Sequence, residues 1–508
     1  MKGRRRWAGL ALGLALAVQL TACHKAAEPL PTPDPSPSPT AAPTQAVRHP
    51  FTLPLDPQGA WNPYLGSRST NMTLAPLIFD SLYELDNTFA PQPALAQTAA
   101  VSEDGLTWRI TLKSGVTFSN GEALTAARVR DALNAARDEK SLYHTRFGGV
   151  GQITCEGDDT VVFQLSAPNH SFLALLDVPI ALVDQEDVYG TGRYTVEGEW
   201  LLARENGWRE NAAIPGKIQL TTISAADEMI AAFDGGTLGL VASDPTGADA
   251  LGFSGSYQTW EYPTTTMLYL GFHRSSGVCQ NPEIRAALSR AVDRGGLVND
   301  VLGGHAAVAA LPAPPSSNRY HATIARQLSY DPLAAAEALD TMGYTPGDDG
   351  IRTIGKRPLA LKLLVNSDNA FKERLGAAIA ADLKAVGVEV TVTALPWEEY
   401  KKALEQGSFD LYLGETRLTG DLDLAPFFTA GSGLCYGGAP DKTLAAALGS
   451  AKATGDWAEF YQGFADNVPF APLCFKTGAV LTQWGRVSGL SPTQGNLFYG
   501  LENWSFTP

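Results

Sequence analysis

LALKLLVNSDNAFKERLGAAIAADLKAVGVEVTVTALPWEEYKKALEQGSFDLYL, residues 359–413, is the stretch that decides the fold. Leu359 to Val365 is apolar except for Lys362 and reads as a strand. Phe371, Leu375, Ile379, Leu383 and Val386 then recur at helical spacing. Gly387 stands where a left-handed residue ends such a helix. Val388-Glu389-Val390-Thr391-Val392 alternates with period two. Trp397, Tyr400 and Leu404 mark a shorter helix that stops near Gly407, and Phe409 to Leu413 is a third strand. The order β-α-β-α-β predicts a parallel sheet with right-handed crossovers.

Outward from this segment the same pattern returns. Lys217 to Ile223 predicts a strand and Ser224 the cap of a helix over Ala225 to Phe233. Gly235-Gly236 ends that helix, and Thr237 to Ala242 is another strand. Two separated α/β units predict two lobes. Asn281-Pro282 and Asp331-Pro332 each put a capping side chain before a proline at the first helical position. The alternation in Trp108-Arg109-Ile110-Thr111-Leu112, followed by Gly-bearing turns up to Gly121, predicts short antiparallel strands. No internal repeat is visible.

The N-terminus is a targeting segment rather than part of the fold. Lys2, Arg4, Arg5 and Arg6 precede an uncharged, Leu- and Ala-rich run from Trp7 to Val18, too short for a permanent membrane span. Leu20-Thr21-Ala22-Cys23 resembles a bacterial lipobox, which implies cleavage after residue 22 and lipid on Cys23. Seven prolines between Pro29 and Pro43 then forbid helix and sheet, leaving a semi-rigid spacer through residue 47.

Hydrophobic residues make up 44% and aromatic residues 9% of the 508, the composition of a globular protein with a substantial core. The formal charge of −15 argues against nucleic acid as a partner. Cys155, Cys279, Cys435 and Cys474 form no C-x-x-C pair, so metal spacing is absent and either disulfides or free thiols fit. There is no G-x-S-x-G, H-E-x-x-H, Walker A or strand-following G-x-G-x-x-G. The seven histidines show no paired spacing. An enzyme is not expected, and no cofactor or metal is expected.

Several motifs carry a resemblance to the peptide- and nickel-type solute-binding proteins of ABC importers, family 5. They are Pro76-Leu77-Ile78-Phe79-Asp80-Ser81-Leu82-Tyr83-Glu84-Leu85-Asp86, then Ser102 to Trp108 running on through Leu112-Lys113-Ser114-Gly115-Val116-Thr117-Phe118-Ser119-Asn120-Gly121. The helix Arg285-Ala286-Ala287-Leu288-Ser289-Arg290-Ala291-Val292-Asp293-Arg294 adds to them. Two positions depart from the pattern. Arg193 follows Gly192 where the family often has Pro, and Leu418 stands where a Trp commonly precedes the Asp.

The resemblance implies an α/β, two-lobed periplasmic-binding-protein-like fold of class II topology with an extra N-terminal subdomain. It implies lobe I from 48–70, 190–262 and 468–508, the subdomain at 71–189, and lobe II at 263–467, with hinge crossings near Tyr262 to Thr266 and Asn467 to Pro469. The implied function is capture of a short peptide by a monomeric, membrane-anchored extracytoplasmic receptor that delivers it to a permease and ATPase complex. A receptor for another small solute such as a nickel chelate, or a surface sensor with the same fold, is the alternative.

Ligands of open α/β sheets bind beyond the carboxyl ends of strands, which directs attention to Gly414 to Asp423. By resemblance, Asp421 pairs with a ligand's α-ammonium group. Arg417 suits a ligand carboxylate, or else an internal pair with Glu415, Asp421 or Asp423. Trp397 and Tyr400 fit either a cleft wall or plain core. Thr266, with Thr264 and Thr265, lies at an expected hinge and is expected to face the cleft, and Asn62 and Tyr64 are weaker candidates.

Overall fold

The computed structural model describes residues 50–507 other than 60, 66–68, 185–186, 206, 210–213 and 439. The expected leader 1–22, Cys23 and the linker to residue 47 lie outside the described residues.

The segment that decided the reading folds as a parallel unit. Strand Ala360–Asn366 pairs in parallel with Glu389–Leu395 on one side and Leu411–Arg417 on the other. Helix Ala370–Ala385 joins the first two, buries Leu375, Ile379 and Leu383, and is capped by the Asn369 side chain accepting from the Phe371 amide. Gly387 follows it with φ +83°, the left-handed conformation its lack of a Cβ permits. The third strand begins later and runs further than the apolar pattern suggests. Gly414, Glu415, Thr416 and Arg417 face Tyr269, Leu268, Met267 and Thr266 of an antiparallel neighbour, and that pairing carries the strand through polar residues. Arg417 therefore ends a strand rather than sitting in a loop.

The upstream unit differs in one detail. Strand Lys217–Thr222 pairs in parallel with Thr52–Leu55, and helix Ala226–Asp234 follows, but Ser224 does not cap it. The Ser224 amide instead donates to Glu228 Oε2 at 2.8 Å, so an acid in the first turn reaches back to satisfy the orphan donor. The Asn281 and Asp331 caps form as expected, on Pro282–Ala291 and Pro332–Thr341. The antiparallel sheet expected around Trp108 contains Ala96–Val101, Thr107–Leu112, Thr160–Leu165 and Val150–Glu156 in spatial order.

Two long strands, Tyr257–Phe272 and Phe470–Gln483, run antiparallel through the middle of the molecule. Leu240–Ser243 pairs with the second and Leu411–Arg417 with the first, so one sheet is shared by both halves. Their register shifts between Pro263 and Met267, opposite Phe475 to Thr477, and again between Leu268 and Tyr269. The apolar core divides into two large clusters. One is formed by buried residues from Met267 to Phe475, the other by residues from Leu53 to Leu240 and from Val480 to Trp504. This is a two-lobed α/β fold. At its centre Gly271 faces Tyr412 and Gly414 faces Tyr269 across the sheet. A Cβ on either glycine would lie 2.1 or 2.2 Å from the opposing ring. Each tyrosine covers backbone that any other residue would push away.

The Arg285 to Arg294 motif has a structural job. Arg285 donates to the carbonyls of Val468, Cys279 and Gln280, each at 2.9 Å. Arg294 donates to Pro472 O at 2.8 Å, Ser289 O at 2.9 Å and Ser289 Oγ at 2.8 Å. Neither has a carboxylate partner among the described residues, so each guanidinium serves as a multi-pronged staple for backbone acceptors. The cysteines at 155, 279, 435 and 474 are unpaired, and burial pushes the Cys279 and Cys474 thiols up to about 12.

Candidate functional site

A cavity of about 680 Å³ opens where the two lobes meet. Its walls follow from strand direction. Asp56, Ser224 and Asp244 come just after strands Thr52–Leu55, Lys217–Thr222 and Leu240–Ser243. Arg417 ends Leu411–Arg417 from the opposite lobe. The carboxyl ends of strands from both halves thus converge on one volume, as expected for ligand sites in such sheets. Its size falls in the range of roughly 300–1,000 Å³ usual for small-molecule sites. Tyr262, Thr264, Thr266, Lys476 and Gln494 complete the side near the long strands.

Charge is distributed unevenly over these walls. Lys476 lies between Asp244 at 2.8 Å and Glu415 at 3.2 Å, and Lys372 binds Glu415 at 2.9 Å. Burial alone would raise the Glu415 carboxyl, but Lys372 and Lys476 outweigh it and hold it below its ordinary range. Lys452 takes both Asp421 and Asp423 at 3.1 Å. The three acids nearest Arg417 in sequence are therefore committed to lysines, and Arg417 has no ion-pair partner among the described residues. Arg417 is exposed to solvent in the cavity, and partial desolvation by the surrounding walls together with the like charge of Arg146 pulls its guanidinium below the ordinary value, with Asp177 opposing. Arg146 is itself paired with Asp177.

The sequence-derived candidates separate into two groups. Arg417, Thr266 and Thr264 line the cavity. Thr264 Oγ1 donates to Lys476 O at 2.7 Å and accepts the Thr266 amide at 3.1 Å. Thr265 is fully buried, donating to Leu418 O at 2.6 Å. Asp421, Trp397 and Tyr400 are not among the lining residues. Tyr400 is buried with its hydroxyl on Leu413 O at 2.8 Å, and Trp397 stacks on it with half its surface in solvent. Helical spacing at this pair places the two rings against each other. Asp421 is buried, accepting from Thr419 Oγ1 at 2.6 Å and Asn169 Nδ2 at 2.9 Å in addition to Lys452. Asn62 accepts the Tyr64 amide, and the Tyr64 hydroxyl bridges Pro179 O and the Ala181 amide, which makes both structural.

Sequence reasoning missed Lys476, Asp244 and Lys452. Lys476 had a usable signal, as the one charge in the otherwise apolar run Phe470 to Phe475 and beyond. Asp244 follows a strand end, and the rule that singled out Arg417 applies there equally. Lys452 lies on helix Lys442–Thr454, distant in sequence from the carboxylates it serves. Among the described residues no group of three His, Cys, Asp or Glu is placed to hold a metal ion.

A two-lobed α/β body with a ligand-sized cavity at the junction, bounded by strand ends from both lobes, defines a solute receptor. The chain belongs to the bacterial extracellular solute-binding proteins, family 5, whose model matches residues 90–437. It is 29% identical over 390 residues to Protein XP55 of Streptomyces lividans, covering 71% of each chain. It is 24% identical over 398 residues to the glutathione-binding protein GsiB of Salmonella typhimurium, covering 73% of this chain and 75% of that one. Its fold is similar to NikA from Brucella suis solved with Fe(III)-EDTA, with a TM-score of 0.70, 20% identity, and coverage of 90% of this chain and 100% of that one. Family members are extracytoplasmic binding proteins of ABC importers.

Proposed function

We propose that this chain is a lipid-anchored receptor that captures a short peptide between its lobes and delivers it to an ABC permease, with the peptide's carboxylate on Arg417. The observation that carries the carboxylate assignment is a guanidinium in the interlobe cavity with no ion-pair partner among the described residues, while the three acids nearest it in sequence are each held by a lysine. A planar fork of donors matches a carboxylate bidentately. The opposite wall offers Asp249, with no ion-pair partner among the described residues, as a counter-charge for an ammonium group. Glutathione, which names the relative GsiB, is a short peptide bearing carboxylates and is of this chemical class.

Closure is proposed to bend the long strands where their register shifts, at Pro263–Met267 and the facing Phe475–Thr477. The carbonyls of Asn467 and Val468, near the crossing expected from sequence, are clamped by Arg285 and suit a fixed point better than a hinge. The subdomain of residues 71–189 then rides with lobe I.

The test is a thermal-shift panel of di- to pentapeptides, each with a free and an amidated C-terminus. Free acids are expected to raise the unfolding midpoint and the matching amides to do so far less. Equal stabilisation by both forms sinks the carboxylate assignment. The anchor has its own test. A Cys23→Ala chain is expected to be released or left unprocessed, and a variant that still partitions into detergent as a processed lipoprotein overturns the lipobox reading.

A further inference from the structure

Away from the long strands, the two halves of the molecule meet along a seam where two hydrogen bonds and two glycines coincide. Phe172 and Leu175 belong to one core cluster, and Leu418, Leu422 and Leu448 to the other. Between them the Asn169 side-chain amide donates to Asp421 Oδ2 at 2.9 Å, and the His170 backbone amide donates to Lys452 O at 2.7 Å. Gly420 lies so close to the facing turn that a Cβ on it would sit 2.2 Å from Ala174 O and 3.0 Å from Leu85 Cδ1. A Cβ on Gly455 would sit 2.7 Å from the His170 ring. A further crossing bond, from Asn369 Nδ2 to Thr246 O at 3.0 Å, lies next to the cavity residue Gly247.

Each side of the seam is shaped by its own bonds. Asn169 Oδ1 accepts the Ser171 amide at 3.0 Å, an Asx turn that leaves the NH2 group for Asp421. The Phe172 and Ala174 amides bond within the same turn, to Asn169 O at 3.1 Å and Ser171 O at 3.0 Å. On the other side Arg319 Nη2 donates to Gly420 O at 2.7 Å, Thr265 Oγ1 donates to Leu418 O at 2.6 Å, and Lys452 ties Asp421 to Asp423. Gly420 is not in the left-handed region, so alanine is excluded there by the facing atoms and not by its own backbone. Non-bonded heavy atoms in contact sit about 3.5–4.0 Å apart, and Ala174 O is backbone that no rotamer change removes. The loop cannot retreat without breaking its own bonds, so bulk at Gly420 is resolved by the halves parting.

We infer that Asn169 and Gly420 are positioning residues for ligand capture: they form a latch that seats the two halves in the closed arrangement around the interlobe cavity. Arg146, Asp177 and Tyr143, which act electrostatically on Arg417, lie in the half that carries Asn169. The seated latch therefore also fixes the surroundings of that guanidinium. The inference rests on the reading of this chain as a receptor that closes on its ligand, and not on which ligand group Arg417 holds.

Amide hydrogen exchange of the full chain without ligand, resolved to single residues by fragmentation in the mass spectrometer, tests the latch. The His170 amide bonds across the seam and those of Phe172 and Ala174 bond locally, so parting of the halves is separable from local fraying. In wild type all three are expected to be protected. Gly420→Ala, a wedge, is expected to speed exchange at His170 at least tenfold, to leave Phe172 and Ala174 unchanged, and to enlarge the radius of gyration in small-angle scattering. Asn169→Asp keeps the acceptor for the Ser171 amide but sets a second carboxylate against Asp421, and the same result is expected. Should Gly420→Ala not fold, Asn169→Asp decides alone. Gly449→Ala, where a Cβ meets nothing within 4 Å, is expected to match wild type. Each latch variant is also expected to bind a peptide acid identified in the thermal-shift panel at least tenfold more weakly. A His170 amide that is unprotected in wild type, that stays protected in a folded latch variant, or that is released together with Phe172 and Ala174 overturns the proposal, as does undiminished affinity once His170 is released. Arg417→Gln is expected to leave His170 protected, so the latch and the carboxylate assignment fail separately.

Discussion

Arg417→Gln is expected to weaken binding of a carboxylate-bearing ligand by about 30-fold or more, within the roughly 2–5 kcal/mol typical when one member of a desolvated charge pair is removed. The size follows from the charges around Arg417. Arg417 lies beside Arg146, and Asp177, which offsets part of their repulsion, is already paired with Arg146. An incoming carboxylate relieves that repulsion as well as forming its own hydrogen bonds. Arg417→Lys keeps the charge but loses the planar fork, and an intermediate affinity is expected. Calorimetry with a peptide acid found in the panel measures all three proteins. The unfolding midpoint without ligand should hardly move, because Arg417 has no ion pair to lose among the described residues. Unchanged affinity in Arg417→Gln would transfer the anchoring role to Lys476 and end the present assignment.

The second large effect is on stability. Arg294→Ala is expected to cost about 3–5 kcal/mol, because several buried acceptors lose a charged donor together and each orphaned group costs about 1–3 kcal/mol. The guanidinium reaches Pro472 O, Ser289 O, Ser289 Oγ and, at 3.3 Å, Leu328 O. It is almost fully buried, and that burial pulls its pKa down to about 10, which leaves it charged at neutral pH. Arg294→Lys is expected to recover only part of the loss, since one ammonium cannot span acceptors on the helix and on strand Phe470–Gln483 at once. Urea unfolding followed by far-ultraviolet circular dichroism gives the difference. A loss under about 1 kcal/mol would mean that water can replace the staple.

The parallel unit around residues 359–413 was readable because its signals are local. Helical spacing from Phe371 to Leu383 and a left-handed glycine at 387 both act within a few residues. The full length of the third strand was not readable, because Glu415 and Arg417 enter the ladder through a neighbour some 150 residues earlier in the chain. The cavity shows the same division. Arg417 and Thr266 could be named from strand ends and the expected hinge. That Asp421 is held by a lysine could not, since Lys452 and Asn169 reach it from remote elements. Trp397 and Tyr400 illustrate a different gap. Spacing says which residues share a helix face but not whether that face meets a cleft or a sheet.

The paired long strands also constrain how such a molecule can move mechanically. Tyr257–Phe272 and Phe470–Gln483 are laced together by backbone hydrogen bonds above and below the shift at Pro263–Met267. Sliding one past the other would break the rungs on both sides, whereas twisting the ribbon at the shift strains only the few residues already out of register. A ribbon of this kind is a torsion bar whose soft section is the stretch of the two neighbouring shifts, Pro263 to Tyr269. Stiffening that section, for instance by a cross-link between its two edges, would trap whichever angle the lobes held when the link formed.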